Sequence, residues 1–176
     1  MKTYQTQNLR NVAIVGGTGS GKTTLAEAFA FESKLIDRKG TVEAGNTLSD
    51  NTELEQAQGR SLYPAVIYTE FGGHKFNFVD TPGVDDLCGG EFSAFKVCNL
   101  AALVMNHNGF DVGSEIHNRY TAEAKMPVVG LVSQLDRENA NWDQIYDSLK
   151  SNSPIMPVIV QYPVNAGAGF DSIIDV

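Results

Sequence analysis

Between Gly16 and Thr23 the chain reads GGTGSGKT, glycines interleaved with hydroxyls and closed by a lysine and a threonine. The spacing fits G-x-x-x-x-G-K-[ST], a pattern whose chemistry is polyphosphate binding. A triphosphate carries several negative charges and needs donors on more than one side. Gly16, Gly17, Gly19 and Gly21 permit backbone conformations that side chains would block. Successive N–H groups can then turn inward as an anion nest. Lys22 would reach the β- and γ-phosphates, and the Thr23 hydroxyl would ligate Mg²⁺. Thr18, Ser20 and Thr24 complete the stretch expected around the phosphates.

Such a loop works only between a strand and a helix. Val12 to Val15 is a short apolar run of the kind that forms a buried strand. Thr24 to Ala30 reads as a helix, whose N-terminal amides and dipole add to the anion site. An ordinary glycine turn is the alternative, and it has no need of a lysine and a threonine in register. A second metal-side signal comes later. Ala65 to Phe71 is rich in strand formers, Gly72-Gly73 is a turn, and Lys75 to Val79 alternates as a partner strand. That strand runs into Asp80-Thr81-Pro82-Gly83. Asp80 would hold Mg²⁺ through water. Gly83 could offer its N–H to the γ-phosphate with no side chain in the way.

The remaining elements are those that must position these groups. Asp37 to Pro64 is long and polar, so it is either functional or mobile, with a short helix over Glu53 to Gln58. In a nucleotide switch this is the segment that the γ-phosphate and Mg²⁺ order. Glu91 to Val97 reads as a helix, Leu100 to Met105 as a buried strand, and Ser114 to Lys125 as a helix started by Ser114 or Asp111. Pro127 to Val132 is a strand leading into Ser133-Gln134-Leu135-Asp136. Asn141 reads as the N-cap of a helix over Trp142 to Leu149. Pro157 to Val160 reads as a last strand, followed by a tail of loop composition and a short apolar run. Alternation of strands and helices predicts an α/β chain with the P-loop NTPase fold: a mostly parallel sheet, one antiparallel edge hairpin, and helices on both faces. Lys22, Asp80 and Asp136 then gather at the carboxyl ends of the strands, where such sheets bind ligands.

Composition narrows the partners. The 176 residues suit one domain, and a net charge of −8 provides no basic surface for direct DNA binding. Cys88 and Cys98 match no metal or redox spacing and read as reduced thiols in the cytoplasm. His74, His107 and His117 form no ligand pattern and read as exposed or loop residues. No apolar run reaches membrane length.

Together these segments resemble the GTP-binding domain of the translational GTPases, of the elongation factor G type, from about Arg10 to the C-terminus. The phosphate loop, the DTPG turn at Asp80 to Gly83 and the long segment between them carry the resemblance. It implies a single G domain bound to Mg²⁺ and GTP or GDP, with the ribosome as partner through the full-length protein. It also implies that Ser61, in QGRSL, takes the place of the switch threonine on Mg²⁺. The resemblance further implies that this is a fragment, because the family adds an inserted subdomain, a last base-binding loop and further domains.

The departures from the family define the expectations. The residue after DTPG is there a histidine that positions the attacking water; here it is Val84. Groups that orient or relay protons contribute about 10²- to 10⁴-fold in rate, so slow hydrolysis is expected and the catalytic group is open. The base is read there by Asn-Lys-x-Asp; here Ser133 and Gln134 replace the first two. Asp136 remains to accept the two guanine N–H groups, worth about 1.5–3 kcal/mol. The nucleotide-binding set is thus Gly16, Thr18, Gly19, Ser20, Gly21, Lys22, Thr23, Thr24, Gly83 and Asp136, and the metal set Thr23, Ser61 and Asp80. Three functions stay open: a slow GTPase, a degenerate nucleotide-binding module without turnover, and an ATP-using P-loop enzyme.

Overall fold

The computed structural model describes residues 3–153 and 156–176. Five strands form the main sheet: β1 (Leu9–Val15), β2 (Ala65–Phe71), β3 (His74–Asp80), β4 (Leu100–Met105) and β5 (Val128–Val132), in the order β2-β3-β1-β4-β5. β1 pairs in parallel with β3 and with β4, and β4 pairs in parallel with β5. β2 is antiparallel to β3 through the Gly72-Gly73 turn, so the hairpin forms the edge that the sequence predicts.

Burial follows from the period of two along each strand. On one face Val12, Ile14, Ile67, Phe78, Ala102 and Val104 pack under α1 (Lys22–Glu32), with Phe29 stacked on Phe78 at 4.6 Å. On the other, Ala13, Val15, Val79, Leu103 and Met105 pack with α3 (Gly89–Phe95) and Phe110, with Tyr120 of α4 (Val112–Glu123) and Leu149 of α5 (Trp142–Asn152) against them. Central β1 is therefore buried on both faces, which explains its unbroken apolar run. α4 starts where Asp111 accepts the Ser114 amide, and α5 where Asn141 accepts the Gln144 amide.

Long polar segment 37–64 contains one short helix, α2 (Glu53–Gln58), as its sequence implies. Thr52 and Glu55 cap it reciprocally. Buried carboxylates tether the rest: Glu27 of α1 accepts the Gly40 amide at 2.9 Å and also the Leu48 amide. Glu55 accepts the Leu62 and Tyr63 amides at 3.0 and 3.1 Å.

Two expectations are corrected. Pro157 to Val160 is not a strand; Val158 and Val160 are 85% and 67% exposed, so their alternation faces no core. Instead β6 (Gln161–Val164) and β7 (Ser172–Asp175) pair antiparallel in a separate sheet, β6 in the stretch read as loop composition and β7 on the short apolar run after it. His117 is neither exposed nor in a loop: it lies in α4, fully buried, with Nδ1 2.7 Å from Glu91 Oε2. A polar partner on another helix makes that burial possible, and local sequence does not reveal it.

Candidate nucleotide and metal site

β1 ends at Val15, between β3 and β4, and the GGTGSGKT loop leaves it at the point where strand order reverses. Gly16 has φ 140°, and a Cβ there would lie 2.2 Å from the Val104 carbonyl oxygen, so only glycine fits. Gly21 is the N-cap of α1 in the left-handed region, with φ 92°. Lys22 is buried and its Nζ donates to the Gly16 and Gly17 carbonyls at 2.8 and 2.9 Å. The ammonium is thus held against the carbonyls at the start of the loop. Burial pushes the Lys22 pKa down, against the opposing charges of Asp80, Glu91 and Asp50.

The DTPG turn closes over this loop. Thr81 bonds the Ile14 carbonyl through N–H and hydroxyl, which locks the end of β3 to β1. Gly83 sits so near Lys22 that a Cβ would lie 2.3 Å from Nζ. The Thr18 hydroxyl donates to the Gly83 carbonyl at 2.8 Å. Val84 follows, half-buried and extended. It lines a polar cleft of about 330 Å³ with Gly17, Thr18, Gly83 and Asp85.

Expected metal-side residues meet at one corner. Thr23 Oγ1 donates to Asp80 Oδ2 at 2.9 Å and lies 3.3 Å from Ser61 Oγ. Asp50 is the residue that sequence reasoning missed. It is 4% exposed, yet among the described residues neither carboxylate oxygen has a hydrogen-bond partner, and Asp80 Oδ1 has none either. Burial pushes the Asp80 pKa up to about 6, opposed by the nearby Ser49 hydroxyl (outside hydrogen-bonding geometry), Lys22 and Thr23. Burial raises Asp50 too, with the Ser61 hydroxyl opposing it. Two hydroxyls and two carboxylates with orphaned oxygens are the donor set of a hard divalent cation, which takes its other ligands from phosphate and water. Mg²⁺ therefore fits these residues. The signal for Asp50 was an acid two residues before the Thr52 cap, which has no meaning without the fold.

Ser133 and Gln134, after β5, are tied to the phosphate loop. Ser133 Oγ donates to the Ser20 carbonyl at 2.6 Å and contacts the Met105 carbonyl at 3.2 Å. Gln134, with φ 58°, donates from Nε2 to the Gly19 carbonyl at 3.0 Å and meets His107 Nδ1 through Oε1 at 3.1 Å. Asp136 lies beyond them, exposed at the same end of the sheet, and Thr24 is exposed on the first turn of α1. Ser20 is buried, its hydroxyl without a partner among the described residues. The structure thus brings Lys22, Thr23, Ser61, Asp80 and Gly83 together, with Asp136 on the adjoining loop.

Known proteins are similar to this chain in sequence and fold. Residues 7–171 match the domain family described as "Elongation factor Tu GTP binding domain". Elongation factor G of Salinibacter ruber is 30% identical over 175 residues, which cover 99% of this chain and 25% of that protein. An elongation factor G-like protein of Mycobacterium tuberculosis is 36% identical over 135 residues, 76% of this chain and 19% of that one. A solved structure from Thermus thermophilus superposes with a TM-score of 0.86 and 30% identity, covering 94% of this chain and 25% of the other. The chain spans about a quarter of the length of such relatives. Phosphate loop, DTPG turn, sheet order and similarity over nearly the whole chain agree: it belongs to the elongation factor Tu GTP binding domain family, as a G domain of the translational GTPase type.

Proposed function

We propose that this chain binds Mg²⁺ with GTP or GDP, as the G domain of an elongation factor G-like translation factor, and hydrolyses GTP slowly. The observation that carries this reading is the corner where Thr23 meets Asp80 and Ser61 beside the buried Lys22. Backbone amides of Gly16 to Lys22 bind the phosphates. Thr23, Ser61 and Asp80, with Asp50, would hold Mg²⁺, which would supply charge neutralisation for the phosphates. Asp136 reads the guanine, and Ser133 and Gln134 hold its loop to the phosphate loop. The ribosome is the partner of the full-length protein, in the cytoplasm. No helix among the described residues is long and apolar enough to cross a membrane.

Val84 favours a second reading. With no donor or acceptor at that position, the domain could hold guanine nucleotide without turnover and serve ribosome interaction. Calorimetric titration of GTP, GDP and ATP, with and without Mg²⁺, tests the binding claim. GTP and GDP should bind with Mg²⁺ and ATP should not. Equal affinity for ATP would favour an ATP-using enzyme, and no binding of any would overturn the reading. Phosphate release by the full-length protein with ribosomes separates slow turnover from none.

A further inference from the structure

Glu91 and His117 are a buried titratable pair that nothing above uses. Both side chains are fully buried, on α3 and α4, with His117 Nδ1 2.7 Å from Glu91 Oε2. Burying such a pair costs desolvation that two apolar side chains would avoid, so packing alone gives no reason for it. Its two remaining polar atoms, Glu91 Oε1 and His117 Nε2, have no hydrogen-bond partner among the described residues. The location gives the reason. His117 Nε2 faces Asp85 Oδ1 at 4.0 Å. Asp85 has a 55% exposed side chain, follows Val84 and lines the cleft beside Gly17 and Thr18. From the other side, Lys22 feels the charge of Glu91. The pair therefore stands behind the turn that closes on the phosphate loop.

We propose that Glu91 and His117 are positioning residues that hold the Gly83–Asp85 turn against the phosphate loop through Asp85, and so set the preference for nucleoside triphosphate over diphosphate. This rests on the nucleotide-binding reading. The Gly83 N–H is the group of this turn assigned to the γ-phosphate, and it lies two residues from Asp85. The placement of Gly83 has little slack, with Thr18 on its carbonyl and Lys22 where a side chain would be. The His117 ring stands between the Glu91 and Asp85 carboxylates, with Nδ1 2.7 Å from Glu91 Oε2 and Nε2 4.0 Å from Asp85 Oδ1, and so fixes where the turn can sit; a diphosphate, having no γ-phosphate, does not sense that placement.

Calorimetry with Mg²⁺ and either GDP or a slowly hydrolysed GTP analogue reads the effect. Asp85→Asn should leave GDP affinity unchanged and weaken the analogue by about three- to fivefold. Asp85→Glu, which keeps the charge, should restore it. Glu91→Gln should repeat the loss. In a Glu91→Leu/His117→Leu background, Asp85→Asn should cause no further change. Asp85 is exposed, so its variants carry the test even where the buried ones fold poorly. An unchanged analogue-to-GDP ratio in Asp85→Asn overturns the proposal, as does the same loss in the background without the pair. A wild-type chain that binds neither nucleotide overturns the underlying reading instead.

Discussion

Ser133 Oγ lies 2.6 Å from the Ser20 carbonyl oxygen, so the loop after β5 is bonded to the phosphate loop across 113 residues of sequence. A serine thus ties down the loop after β5, at the position where the resemblance calls for an asparagine. Ser133→Ala removes this bond and the contact with the Met105 carbonyl, at a net cost of about 1 kcal/mol. The urea midpoint should fall with an unchanged slope. A midpoint equal to wild type would mean that the bond is not made in solution.

Gly83 leaves no room for a side chain. A Cβ would stand 2.3 Å from Lys22 Nζ and 3.0 Å from the Gly16 carbonyl oxygen. Gly83→Ala should therefore displace the ammonium from its seat and weaken nucleotide binding about tenfold or more, about 1.4 kcal/mol. Gly89→Ala is the control, since a Cβ there meets nothing within 4 Å. Equal titration curves for the two variants would remove Gly83 from the site.

Asp80 gives a pH dependence whose sign follows from burial. Its pKa is about 6 in the folded protein against an ordinary 3.8. Below about pH 4 both states hold the proton. Between the two values the folded state holds it and the unfolded state has lost it, so metal-free stability declines as pH rises through about 6. The shift of about 2 units corresponds to about 3 kcal/mol. Asp80→Asn should flatten that decline and raise metal-free stability near pH 7, while abolishing Mg²⁺-dependent nucleotide binding. In the wild type, Mg²⁺ with nucleotide should protect against heat at pH 7 and much less at pH 5. Thermal melts over that range check both statements; a pH-independent Mg²⁺ effect would show that the cation avoids Asp80.

What the sequence disclosed was what local rules require. The bounds of β2, β4 and α2 follow from Gly-Gly, an apolar run and helix-forming residues, and they match residue for residue. The GGTGSGKT loop needed only its flanking strand and helix to be placed. Asp50, Glu27 and Glu91 were opaque for the opposite reason. Glu27 bonds amides 13 and 21 residues away, and the partner of Glu91 lies 26 residues away on another helix. No periodicity encodes such pairings. Polar patterning marked residues 37–64 as functional or mobile; their tethering by carboxylates required the fold.

Glu55 tethers the residues that follow Ser61. Its Oε1 takes the Leu62 and Tyr63 amides, and its Oε2 takes the Thr52 amide and hydroxyl. Burial, the largest single influence, would raise its pKa, but the bonds from Leu62, Thr52 and Tyr63 together hold it below the usual carboxylate range. Glu55→Ala should cost about 2–4 kcal/mol and release Ser61 from its place beside Thr23. Hydrogen exchange at the Leu62 and Tyr63 amides should accelerate more than at α1 amides. Uniform acceleration would mean a global loss of stability rather than a freed switch.

Val84 is half-buried and lines the cleft with Gly17, Thr18 and Gly83, directly after the turn that meets Lys22. An isopropyl group there can exclude water but cannot orient it. A histidine at that position adds a ring nitrogen that can hold the attacking water, and such groups contribute about 10²- to 10⁴-fold. Val84→His in the full-length protein should therefore raise ribosome-stimulated phosphate release by about 10²-fold, with GDP affinity unchanged. Single-turnover release from labelled GTP measures it, with ribosome binding followed in parallel. An unchanged rate with normal ribosome binding would move the block elsewhere. The next residues to restore would then be those of the base loop, where Gln134 replaces a lysine and holds the Gly19 carbonyl at 3.0 Å.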